Sequence, residues 1–307
     1  QYWGAGSVRR QTVEALPISQ ATTAFNFYST GVADLTLDKG VVPPMLLDEL
    51  RKRPDCHVAP ILASYFYRFN VTRKPFDDAR VRRAFAKALD KEFIVRRITR
   101  NGEPVAGSIT PPGIRGYEPP RGMPRDPGAA RALLAEAGYP GGAGFPPIGL
   151  LFNSTEQDEE IAVAVQDMLR RELGVRVELR RQEWKVYLNS LNRVDFDMAR
   201  STWVADYPDP NTFLDCFVTA RGNNRTGWSH PRYDALLDEA NRTLDPAARF
   251  ALMRRAEQIL VEEEVPIAPV FHYVSVKLYD PDRIGGIVMN PIDEYPIRAM
   301  YRIGGAR

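Results

Sequence analysis

Between residues 128 and 202 the apolar pattern switches repeatedly from the 3.6-residue repeat of an amphipathic helix to the short apolar run of a buried strand. It predicts a helix near 128–137 ending at Gly138, a strand near 148–153, and a helix near 156–173 closed by Gly174. A strand near 175–181, a helix near 184–192 and a strand near 195–202 follow. Such alternation leads to an α/β layered sheet. Helices are expected next at 231–243 (Tyr233, Leu236, Leu237, Ala240) and at 246–264, where Asp245 caps and Pro246 takes the first position; strands at 266–279 and 295–303 close the chain. Upstream, the aromatic strand 63–71 is followed by a turn and an N-cap in Lys74-Pro75-Phe76-Asp77-Asp78, so a helix should start at about Ala79. Val81, Ala84, Phe85, Ala88 and Leu89 form its apolar face, with Arg82, Arg83 and Lys87 outside. The first 60 residues read as a β-rich segment with alternation at 12–16 and one short helix from Pro43 to Lys52. The Gly- and Pro-dense stretch 99–127 reads as an extended surface loop.

At 307 residues the chain exceeds the ~100–200 typical of one domain, so two folded units, or one plus a fragment, are expected. Its 41 basic and 39 acidic residues are interspersed, which argues against a nucleic-acid surface. No apolar run reaches the roughly 18 residues of a membrane-spanning helix. The opening Gln1-Tyr2-Trp3 carries no leader pattern, so a signal peptide is expected to have been removed or to lie upstream. Cys56 and Cys216 fit no metal spacing and read as one disulfide or as buried thiols. His57, His230 and His272 are isolated, and neither Cys-x-x-Cys nor a Gly-x-Ser-x-Gly elbow occurs. The chain therefore reads as no enzyme, with no metal and no cofactor. His230, before Pro231, reads as a helix cap or a surface residue.

The functional-looking segment is 200–214, which carries Asp206 and Asp209. Asp209 precedes Pro210 and reads as an N-cap. Asp206 ends a strand between Ala205 and Tyr207, where α/β sheets receive ligands. From the residues alone it is either a turn aspartate bonded to backbone N–H groups or a carboxylate for a ligand ammonium walled by Trp203 and Tyr207. Trp184 opens a helix and reads as core, with a stacking wall as the alternative. Tyr65, Phe66 and Tyr67 must alternate between the faces of one strand.

Gly31-Val32-Ala33-Asp34, the strand 65–70, the turn and helix 75–85, Leu133-Leu134-Ala135-Glu136-Ala137-Gly138-Tyr139, Gln182-Glu183-Trp184 and the stretch 200–213 occur in that order. Together they resemble, over essentially the whole chain, the extracytoplasmic oligopeptide-binding proteins of ABC importers, members of the peptide/nickel-binding solute-binding protein family 5. The resemblance implies a two-lobe periplasmic-binding-protein-like α/β fold (type II, cluster C) with a small inserted domain. It starts partway through lobe one, so the N-terminal part of that lobe and the inserted domain are expected to be missing. Residues 1–62 plus 276–307 are then a lobe-one remnant, and 63–275 the far, ligand-binding lobe.

The function implied is capture of short peptides in an interlobe cleft for delivery to ABC permease subunits. The protein would be a monomer, periplasmic or anchored outside the cell, and would touch the membrane only indirectly. By resemblance, Asp206 pairs with the peptide's α-amino group, and the strand of Thr202, Trp203 and Val204 bonds the peptide backbone. Trp184, Trp203, Arg68, Tyr207, Asn223 and Phe271 match pocket linings, and Arg200 matches a basic residue associated with ligand carboxylates. The acidic stretch 153–158 departs from relatives that are basic there. A cysteine pair found in some relatives is replaced by Ala63 and Val204. This chain alone is expected to bind peptide weakly. Rival readings are the same fold holding a dipeptide, nickel complex or sugar, and a hydrolase using carboxylates roughly 5–9 Å apart.

Overall fold

A computed structural model describes residues 3–4, 6, 8, 12–18, 20–37 and 42–304. In chain order the elements are α1 (Ala21–Ser29), α2 (Leu47–Leu50), β1 (Cys56–Phe69), α3 (Ala79–Ala88), α4 (Lys91–Phe93), α5 (Pro127–Glu136), β2 (Ile148–Asn153), α6 (Glu156–Leu173), β3 (Val177–Gln182), α7 (Trp184–Asn192), β4 (Met198–Val204), α8 (Asn211–Leu214), α9 (Pro231–Arg242), α10 (Pro246–Gln258), β5 (Ile267–Leu278), β6 (Ile284–Gly285) and β7 (Tyr301–Arg302). β1 to β5 form a five-stranded sheet in the order β3-β2-β4-β1-β5. β2 is parallel to β3 and β4, and β1 is antiparallel to β4.

The chain divides into two compact units: Gln1–Ile61, Arg100–Gly102 and Val274–Arg307 form one, and Leu62–Thr99 with Glu103–Tyr273 form the other. In the first, α1 packs Phe25 and Tyr28 on Val42, Leu47, Leu50, Val276 and Leu278. In the second, the main core lies between one sheet face and α3, α5 and α6, built from residues such as Phe69, Phe85, Leu134, Phe152, Val165 and Met198. α7 covers the other face through Tyr187 and Leu191, against Leu151 and Ala199.

Local signals place the helices. Asp78 accepts the Arg80 N–H at 2.8 Å to start α3, and His230 and Asp245 cap α9 and α10 in the same way. Gly174 closes α6 in the left-handed conformation at φ 69°, which a side chain at Cβ disfavours.

Other expectations fail for tertiary reasons. Residues 12–18 are mostly exposed without regular structure, and α1 follows where a β-rich segment was expected. Alternation specifies a strand only where a partner edge is available, and none pairs with 12–18 among the described residues. The stretch 295–303 yields a 3₁₀ turn and the short β7 in place of a strand. Arg82, expected outside α3, is buried and donates to the carbonyls of Glu264 and Phe76. The loop 103–126 is only partly on the surface: Pro112, Gly113, Arg115 and Gly116 are exposed, as expected, but Ala106, Ile109, Ile114 and Tyr117 are buried. Cys56 and Cys216 are free thiols.

Candidate functional site

β4 has unequal neighbours. Its whole length from Met198 to Val204 is laddered to residues 63–69 of β1, with Ala63 opposite Val204. Toward β2 the pairing covers only Met198 and Ala199. The backbone of residues 202–204 thus has a strand on the β1 side and an open edge on the other among the described residues.

Beyond that edge the chain turns. Ala205 N–H donates to the Leu62 carbonyl at 2.8 Å. Asp206 N–H donates to Thr212 Oγ1, whose hydroxyl faces the Asp206 carboxylate at 3.3 Å. Asp206 is exposed, and no ion pair engages it among the described residues. Asp209 is committed to structure instead: it accepts the Asn211 N–H at 2.9 Å and the N–H groups of both terminal guanidinium nitrogens of Arg249 at 2.7 and 2.9 Å.

Alternation along β4 sends its side chains to opposite faces. On the α6 side, Arg200 Nε donates to Asp158 Oδ1 at 2.9 Å, and its guanidinium lies 5.2 Å from the Tyr65 ring. Burial alone would lower the Arg200 pKa, but Tyr273, Asp158, Tyr65 and Tyr187 outweigh it and raise it. Asp158 is buried at the start of α6 and receives the Thr155 hydroxyl at 2.5 Å, while its own N–H returns to Thr155 Oγ1. Thr202 shares a hydrogen bond of 3.0 Å with the Tyr273 hydroxyl. Phe271 is fully buried, stacked on Tyr65 at 4.8 Å. As a pocket lining it is corrected: it supports Tyr65 from behind and presents no surface.

On the opposite face, Arg68 is 2% exposed, gripped by Ser201 Oγ at 2.9 Å and the Asn223 carbonyl at 3.0 Å, with Phe66 and Phe217 rings at 5.0 and 5.3 Å. Burial pulls its pKa down to about 10, and no carboxylate pairs with it among the described residues. Trp203 is partly exposed, while its Nε1 is buried with no hydrogen-bond partner there. Val204, which ends the strand, is partly exposed.

The aromatic surface lies nearby in sequence order. Tyr207 is 45% exposed. Trp184, read as core, is 51% exposed at the first position of α7, stacked on Tyr187 at 5.6 Å. The Tyr187 hydroxyl donates to the Arg200 carbonyl at 2.5 Å, which ties the Trp184 helix to β4. Arg200, Thr202 and Phe271 thus share one sheet face, Arg68, Trp203 and Asn223 the other, and Asp206 and Tyr207 the turn beyond. The sequence reading missed Asp158 as the partner of Arg200. Its signal was the Thr155-x-x-Asp158 spacing of a capping box, which gives the helix start but not the partner across the sheet.

Comparisons with known proteins converge on one family. Residues 1–225 match the middle region of the bacterial extracellular solute-binding proteins, family 5. The oligopeptide-binding protein OppA of Bacillus subtilis is 32% identical over 98% of this chain and 56% of its own length. Among solved structures, a periplasmic oligopeptide-binding protein of Borrelia burgdorferi superposes with a TM-score of 0.91 at 28% identity, over 98% of this chain and 60% of that one. The murein tripeptide binding protein of Escherichia coli gives 0.90 at 33% identity, over 99% and 60%. The chain thus spans little more than half the length of the relatives it matches.

Proposed function

Because the chain belongs to the bacterial extracellular solute-binding proteins of family 5, we propose that the whole protein captures short peptides outside the cytoplasm and hands them to the permease of an ABC importer. The observation that carries this reading is the open β4 edge at residues 202–204, which ends in the exposed, uncompensated Asp206. An extended peptide adds to that edge as a further strand, so backbone hydrogen bonds supply affinity without reading side chains. Asp206 then receives the peptide's α-ammonium. Trp203, Tyr207 and Trp184 offer aromatic surface to the ligand's side chains. Arg68 and Asn223 brace the sheet face that carries Trp203. The protein works by binding and makes no bond; it acts as a monomer, either free in the periplasm or anchored to the outer side of a membrane.

Removing one member of a desolvated charge pair costs about 2–5 kcal/mol, so Asp206→Ala in the full-length protein weakens peptide binding by roughly 30-fold or more. Titration calorimetry with a free-amine peptide and its N-acetylated form reads this directly. Both changes should lower affinity, and the variant should no longer distinguish the two peptides. Equal affinity of wild type and variant would remove Asp206 from the site.

A further inference from the structure

The Arg200–Asp158 pair stands where the ladder from β4 to β2 stops, since Ala199 is the last paired residue and the next one is Arg200. It closes one end of the open edge, and Asp206 marks the other. An extended chain advances about 3.3 Å per residue, and Asp206 stands beyond Arg200 by at most roughly 20 Å of chain, so a peptide whose amino group meets Asp206 brings its carboxyl end toward Arg200 within roughly six residues. A lone arginine there would welcome that carboxylate.

Here the arginine is already neutralised. Asp158 is buried, its second oxygen is held by Thr155, and its N–H is fixed in the same cap. It cannot swing into water without breaking that cap. A ligand carboxylate arriving at Arg200 would either share one guanidinium with Asp158, two like charges in a poorly solvated place, or displace it and leave a buried carboxylate unpaired. The tyrosines around the pair, Tyr65, Tyr187 and Tyr273, bring no further positive charge to offset a second anion.

We propose that Asp158 is the residue that sets ligand selectivity: by occupying Arg200 it excludes a free carboxylate from the closed end of the β4 edge. The site then favours peptides whose end at this point is uncharged, or which continue past it. This rests on the peptide-binding reading above. Asp158 acts through Arg200 and is a positioning residue, so its test is a selectivity ratio and not a bare affinity.

The experiment titrates the full-length protein with tri-, tetra- and pentapeptides, each as free acid and as C-terminal amide, and with an octapeptide in both forms. At one of the short lengths the amide should bind wild type at least 10-fold more tightly than the acid, with no preference for the octapeptide. Asp158→Asn keeps the Thr155 cap and frees Arg200, so that preference should fall at least 10-fold. Equal binding of acid and amide by wild type at every short length overturns the proposal without any variant. A preference unchanged in a variant that melts like wild type also overturns it. If no peptide of either form binds, the peptide reading itself fails and takes this inference with it.

Discussion

Glu257, at the end of α10, is wholly buried, and its carboxylate accepts the Ile109 and Thr110 N–H groups at 2.9 and 2.8 Å and the Tyr117 hydroxyl at 2.5 Å. Burial outweighs these donors and pushes its pKa from 4.5 up to about 7. The folded state therefore keeps a proton that the unfolded chain releases between those values, and this group's contribution falls as pH rises through that window, by on the order of 3 kcal/mol in full. His272 does the opposite. Buried beside Ser64, with Lys91 as its charged neighbour, its pKa falls from 6.5 to about 3, so stability is lost as pH drops through 6.5 and the unfolded chain gains a proton. The two oppose each other between about pH 4.5 and 6.5. Glu257→Gln keeps an acceptor for the N–H groups and removes the compensating titration. Its melting temperature should therefore fall more steeply than that of wild type from pH 6.5 to 4.5; parallel curves would show that Glu257 does not titrate there. None of this is legible in the sequence, where Glu257 stands among the charged residues of a surface-patterned helix.

The stretch 103–126 shows the same division at the level of elements. Its glycines and prolines do rule out a long helix, as the sequence indicates, but its path is set by a close crossing. A Cβ on Gly107 would lie 1.8 Å from the Arg121 carbonyl oxygen, and one on Gly122, whose φ is 66°, 1.9 Å from the Gly107 oxygen. Backbone cannot yield there as a flexible side chain would. Gly122→Ala should cost about 2 kcal/mol or more, through clash and left-handed strain together. Gly222→Ala, with nothing within 4 Å, should stay within about 0.5 kcal/mol of wild type. Urea unfolding compares the two, and equal midpoints would mean that the crossing is loose. Helix caps behave differently: Asp78, Thr155, His230 and Asp245 cap where the sequence or its spacing suggests, because a cap needs only a few neighbouring residues.

Across the whole chain each compact unit carries one of the free thiols, Cys56 in the first and Cys216 in the second. Cys56 is partly exposed, whereas Cys216 is buried, donates to the Thr212 carbonyl at 3.4 Å, and has its pKa pushed up to about 12 by burial. Only the thiolate reacts. At neutral pH a thiol reagent should modify Cys56 in the native chain and reach Cys216 only when its unit unfolds, so Cys216 labelling across a urea series reads the unfolding of the second unit. Equal rates in the native state would contradict the burial of Cys216.

The sequence by itself determined the α/β class, the order of the main strands and helices from β1 to α10 apart from the short α4, the turn that carries Asp206, and the family resemblance. Those features rest on periodicity, caps and motifs whose parts lie close together along the chain. Only the tertiary structure decided which edge of β4 stays open, that Asp158 occupies Arg200, that Phe271 and Arg68 are buried while Trp184 is exposed, and that Glu257 draws a Gly- and Pro-rich loop inward. Each of these depends on groups far apart in sequence. Whether a side chain is a ligand contact or a buried support is set by what the fold packs against it.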